Sequence, residues 1–140
     1  MIDIQTGHLI LSENIHIKKD DFYDHVLSLN LGQTNKQWGH GNGWLWLQEN
    51  NVFVENKYFI FQFGFYEKKL KLMSFSFSNT RFQLDEGWDN WSEEKELADL
   101  EKYKSWLTNE LGKQREFSWG EAWALYDMKG GFSSLGINYK

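Results

Sequence analysis

The 140 residues, 41% of them hydrophobic, are expected to form a single domain over 1–140, large enough to bury about two thirds of its unfolded surface. A net charge of −5 without a basic stripe disfavours nucleic acid, whose binding draws on the release of phosphate counterions. The lack of cysteine excludes disulfides and thiolate metal sites. The N-terminus has no basic stretch and no apolar run longer than Leu9–Leu11, so neither a signal peptide nor a membrane span is expected and the cytoplasm is the expected location.

In chain order, Ile2 and Ile4, then Leu9 and Leu11, predict two short strands about a turn at Thr6-Gly7. Phe22, Val26 and Leu29 recur at i, i+4 and i+7, which predicts a helix capped by Asp20 or Asp21 and ended near Gly32. The polar, glycine-rich run 33–43, QTNKQWGHGNG, reads as a loop. From Val52 to Tyr66 the phenylalanines at 53, 59, 61, 63 and 65 share a parity, with Gln62 and Gly64 on the opposite face. A turn at Glu67-Lys68-Lys69 follows. Met73, Phe75 and Phe77 then face one way and Ser74, Ser76 and Ser78 the other, and the change of parity between Leu72 and Met73 predicts a bulge.

The longest helix is predicted from about Ser92 to Leu111, with Asn90 as its cap and Glu93 in the capping-box position. Its apolar stripe is Leu97, Leu100, Leu107 and Leu111, widened by Tyr103, and Gly112 stands where an αL C-cap is expected. A strand around Phe117–Tyr126, a turn at DMKGG and a last strand Phe132–Tyr139 complete the chain. Strands joined by short turns make an antiparallel sheet. The expected class is therefore α+β, with about six or seven strands and two packed helices. Eight tryptophans and eleven phenylalanines must largely fill its core.

Motifs for catalysis are missing from the sequence. His8, His16, His25 and His40 are spaced too widely for a metal signature, so no metal and no cofactor are expected. His40 in WGHGNGW is a conceivable general base, but the glycines also serve simply to let Trp38 and Trp44 fold back onto the core. GHGNG matches neither GxxxxGK nor GxGxxG, and Lys129-Gly130-Gly131 is explained by a hairpin turn. No serine lies in GxSxG, and an enzyme is not expected.

The strongest functional signal is the segment 85–101, DEGWDNWSEEKELADLE. Its eight acids against one base give −7, leaving the rest of the chain slightly basic. Carboxylates interleaved with indoles suit a surface that steers and grips a basic partner. Acids at a helix start are also favoured by the helix dipole alone. The candidate partner-binding residues are Asp85, Glu86, Trp88, Asp89, Trp91, Glu93, Glu94 and Glu96. The alternative is a small-ligand or carbohydrate-binding domain that uses the Trp- and Gly-rich loop 38–46.

The C-terminal stretch 117–139, FSWGEAWALYDMKGGFSSLGINY, sets a WG dipeptide before a D-x-K-G-G-x-S-S turn and a final strand. It resembles the ending of a group of small bacterial proteins similar to the immunity proteins of polymorphic and contact-dependent toxin systems. The resemblance covers about one sixth of the chain and carries over no binding residue. It implies a cytoplasmic, non-catalytic protein that binds one cognate protein toxin, and since toxin nuclease domains tend to be basic, the acidic segment agrees with it.

Overall fold

The computed structural model of the chain describes residues 1–84 and 91–140. Its elements are β1 (Leu9–Ser12), β2 (Ile15–Ile17), α1 (Tyr23–Ser28), β3 (Thr34–Gly39), β4 (Trp44–Val54), β5 (Lys57–Tyr66), β6 (Lys69–Ser78), α2 (Glu93–Leu111), β7 (Glu116–Phe117), β8 (Gly120–Asp127) and β9 (Phe132–Tyr139). Strands β3 to β9 form one antiparallel sheet in the order β3-β4-β5-β6-β9-β8-β7, and β1 and β2 form a separate hairpin. The fold is α+β. Among the described residues no helix is long and apolar enough to cross a membrane.

The core lies on one face of the sheet. Phe59, Phe61, Phe63 and Phe65 on β5 are fully buried in one row, covered by Leu9 and Ile17 of the β1–β2 hairpin, Val26 of α1, and Leu107 and Leu111 of α2. Burying four phenylalanines contributes about 1.5 to 3 kcal/mol each. α2 lies against β8 and β9 and reaches β6, where Trp106 meets Phe75 and Tyr103 meets Phe77, both edge-on. The central seam of the sheet is short. β6 and β9 pair only over Leu72–Phe75 and Leu135–Asn138.

Several local readings give way to the structure. The run 33–43 is not a loop: Thr34–Gly39 is edge strand β3, paired in unbroken register with β4, and only 40–43 remain as the turn. Its polar residues tolerate a strand because an edge leaves most of them exposed. The turn expected at Thr6-Gly7 is present, with the Gly7 amide donating to Asp3 O and Ile2 bridging Leu9 across it, but that bridge is a single one, Ile4 is 47% exposed, and the full hairpin is β1 with β2. Neither Asp20 nor Asp21 caps α1. Asp20 pairs with Lys71 and Asp21 takes the amide of Lys18, while the helix ends at Leu29 before Asn30 at φ 48°.

Phe53 is 59% exposed although it shares the odd parity of the buried ring row. Strands β4 and β5 are joined by the two-residue turn Glu55-Asn56, so Phe53 lies opposite Tyr58 and Val52 opposite Phe59. Opposed residues share a face, and an even-length turn therefore exchanges the parities of the two strands. The bulge sits on the other side of Leu72 from its predicted place: the register of β5 and β6 shifts between Leu70 and Leu72, leaving Lys71 as the extra residue. The predicted strand at 117–126 is split at Ser118-Trp119 into β7 and β8.

Candidate functional site

Ser92 caps α2, its hydroxyl accepting the Lys95 amide at 3.0 Å. Asn90, the expected cap, lies outside the described residues. With Ser92 as cap, Lys95 and not Glu93 occupies the capping-box position, so Glu93 is left to solvent. Gly112 closes the helix at a positive φ of 74°, but with ψ −160° it is not the αL cap expected; its N–H donates to Thr108 O.

Of the acidic candidates, Asp85, Glu86, Trp88 and Asp89 lie outside the described residues. The remaining four divide by role. Trp91 Nε1–H donates to the carbonyl of Gly131 in the β8–β9 turn at 2.5 Å. Glu96 accepts the Ser133 amide on Oε1 at 3.0 Å, and its own carbonyl accepts the Ser133 hydroxyl at 2.5 Å. These two residues tie the start of α2 to the β8–β9 hairpin. Glu93 and Glu94 are exposed, and their carboxylates are available to an outside cation.

That tether adds residues which the sequence reading missed. Met128 at the turn is 86% exposed, Phe132 (52%) and Leu125 (45%) are near it in sequence and strand register, and Leu97 on α2 is 42% exposed. Asp127 adds a further carboxylate. Half-buried Tyr126 is held above the ordinary tyrosine pKa by burial first and then by the negative charges of Glu93, Glu96 and Asp127. The signal available beforehand was Met128 and Phe132 flanking a turn of Lys and Gly, where neither apolar side chain serves the turn.

The D-x-K-G-G-x-S-S residues have structural duties. Asp127 Oδ1 accepts the Lys129 amide, Asp127 O accepts the Gly131 amide with Gly131 at φ 75°, and a Cβ on Gly130 would stand 2.8 Å from Asp127 Oδ2. Ser133 makes the Glu96 contacts. The motif is thus a hairpin turn and its anchor to α2.

A second surface covers the sheet face away from the core. Paired residues run across it in two rows, Lys36, Gln48, Gln62, Ser74, Gly136 and Trp123, then Trp38, Trp46, Gly64, Leu72, Asn138 and Glu121. The residues of the predicted 38–46 loop supply its rings from strands instead: Trp38 from β3, Trp44 and Trp46 from β4. Trp38 and Trp46 lie near-parallel with centroids 6.3 Å apart, Trp46 and Trp44 at 5.7 Å, and Tyr66 closes the series at 5.4 Å from Trp44. These separations fall in the range of offset aromatic pairs, and Trp38, Trp44 and Trp46 are each half-buried. Gly64 makes room: a Cβ there would lie 2.8 Å from the Trp46 ring. Gln62 Nε2 donates to Gln48 Oε1 and Gln48 Nε2 to Asn50 Oδ1, both at 2.8 Å, a ladder of amides beside the rings.

His40 is exposed at the 40–43 turn, and among the described residues no three His, Asp or Glu side chains gather in a metal-binding group. Two concavities, one lined by residues of β7–β9 with Lys140 and one by Gly41, Gly43, Trp44, Leu45, Glu67 and Lys68, are open grooves. Glu49 is the one fully buried acid among the described residues. Its Oε2 accepts the Leu31 amide at 3.1 Å while Oε1 has no partner. Burial lifts its pKa, opposed by hydrogen-bonding groups of Leu31, Gly32 and Asn35.

No protein-family model, no curated protein and no solved structure matches this chain.

Proposed function

We propose that the protein is a non-enzymatic binding protein of immunity type, acting in the cytoplasm to neutralise a basic toxin domain by covering it. The observation that supports this reading most is the tether of α2 to the β8–β9 turn through Trp91–Gly131 and Glu96–Ser133. It brings exposed Glu93 and Glu94, at the start of α2, to the hairpin end that carries exposed Met128 and Phe132 with Asp127, a mixture of steering charge and apolar anchor. The docking residues are Trp91, Glu93, Glu94 and Asp127 with this apolar group; Glu96 serves the fold.

The test is stopped-flow association with the toxin domain encoded beside the chain's own gene, at low and high salt. The Glu93→Lys, Glu94→Lys double variant should slow association many-fold at low salt, and the difference should fade as screening shortens from about 10 Å at 0.1 M to about 3 Å at 1 M. A rate indifferent to both salt and charge reversal would defeat the reading.

A second reading is favoured by the Trp38–Trp46–Trp44–Tyr66 series and its neighbouring amides, which offer ring edges and hydrogen-bonding groups to a carbohydrate. Tryptophan fluorescence titrated with neutral oligosaccharides would register it. The indoles are half-buried and packed edge by edge along the sheet, which ranks it second.

A further inference from the structure

The two edges of the sheet are guarded differently. β7 is two residues long and turns straight into β8. At the opposite edge β3 offers six residues in unbroken register with β4, without proline or bulge, and among the described residues it is paired on one side alone. Five of the six are exposed. A flat, unpaired edge of this kind is a template for another strand unless charge or shape forbids it.

β3 carries one charge, Lys36, and that charge selects the partner. A two-fold axis perpendicular to the sheet requires opposed residues to share a face, so only registers centred on a residue are allowed. Two of these keep five strand residues paired. Centred on Lys36, the register sets lysine against lysine across the axis. Centred on Gln37, it sets Lys36 opposite Trp38 of the second copy, twice, and leaves the neutral Gln37 amides on the axis. Lys36 Nζ already lies 5.6 Å from the Trp38 ring centroid within one chain, so the same cation–π contact is on offer across the axis.

We propose that β3 is a self-association edge at which a second copy of this chain pairs antiparallel about Gln37, joining the two sheets into one. The dimer closes on itself, because the other edge is too short to extend it. It leaves the start of α2, at the far side of the sheet by β8 and β9, open for the partner proposed above. A strand-edge contact buries less than the roughly 1,600 Å² of a standard interface, so the dimer belongs with weak, transient associations and should form at high concentration.

Sedimentation velocity across concentrations up to millimolar tests this. The mass should rise from 16.7 kDa towards twice that value and stop there. Gln37→Lys and Gln37→Glu each put like charges together on the axis and should weaken dimerisation by about tenfold or more. An equimolar mixture of the two should restore it, as a lysine–glutamate heterodimer. Because Gln37 accepts a bond from the Tyr23 hydroxyl, circular dichroism should verify that each variant folds. Hydrogen exchange of the wild type gives an independent measure: β3 amides should gain protection at high concentration alone. A chain monomeric throughout, a dimer indifferent to both variants, or growth beyond two copies would overturn the proposal.

Discussion

Ser133 and Glu96 hold each other twice: the serine amide donates to the glutamate side chain and the serine hydroxyl to the glutamate main-chain carbonyl, across 37 residues of sequence. The paired contact turns an acid that looks like surface charge into part of the fold. Glu96→Ala is therefore expected to cost about 1 to 3 kcal/mol in urea denaturation, because it removes a carboxylate that satisfies a part-buried amide. Glu93→Ala and Glu94→Ala, both exposed, should change stability by less than about 0.5 kcal/mol. Equal losses at all three positions would contradict this division.

Leu107 is 1% exposed and Leu97 is 42% exposed on the same helix. Leu107→Ala should leave a cavity costing about 2 to 5 kcal/mol, and Leu97→Ala should cost well under half of that. Thermal melts of the two variants give the comparison directly.

Gly136 stands where a Cβ would meet the Met73 carbonyl oxygen at 2.3 Å and the Trp123 ring at 2.5 Å. Backbone cannot yield as a side chain can, so Gly136→Ala should destabilise by about 1 to 3 kcal/mol or more. At Gly64 the nearest obstacle is the Trp46 ring, and Gly64→Ala should displace it with a change in tryptophan emission at a smaller stability cost.

Glu49 gives a pH dependence with a definite sign. Burial holds its folded pKa above the ordinary 4.5, so the folded state binds its proton more tightly than the unfolded chain does. Stability from this group rises as pH falls through the folded value and is complete below the unfolded one. Glu49→Gln, which imitates the protonated form, should be at least as stable as the wild type at pH 7. Its advantage should shrink as pH drops towards 4.5, as denaturant melts at a series of pH values would show. A variant clearly weaker than the wild type at neutral pH would mean that the buried charge is stabilising.

The β5–β6 turn places Glu67 at φ 50° and Lys68 at φ 70°, both left-handed and neither glycine. Lys68→Gly should relieve that strain and raise stability by about 0.5 to 1 kcal/mol, read from the denaturation midpoint.

The sequence rendered the class, the long helix and the buried row Phe59–Phe65 because each rests on a sustained period. What it hid depends on pairing. Phe53 belongs to the buried row by counting and to the solvent by its turn of two residues, a parity exchange visible only once Val54 is known to face Lys57. β3 reads as loop because a polar edge strand has no apolar face to announce it. Leu97 continues the stripe on paper, yet the helix there rests on Glu96 against Ser133 and turns Leu97 outward. The docking candidates split for the same reason: composition marks 85–101 as acidic but does not reveal that Trp91 and Glu96 are engaged by a hairpin that begins 24 residues after Glu96, at Gly120.

The four-pair seam between β6 and β9 bears on how the chain finds this structure. β3 to β6 are linked by short turns and can zip from local contacts, but Met73 must wait for Ile137, 64 residues further on, and α2 has to be in place between them. Closing so long a loop is slow and is rewarded by few hydrogen bonds until the hairpin β8–β9 arrives whole. Refolding should therefore proceed in the order meander, then C-terminal hairpin with α2, then closure. Changes at Gly136, in the middle of the seam, should slow folding more than they speed unfolding if closure is the rate-limiting event.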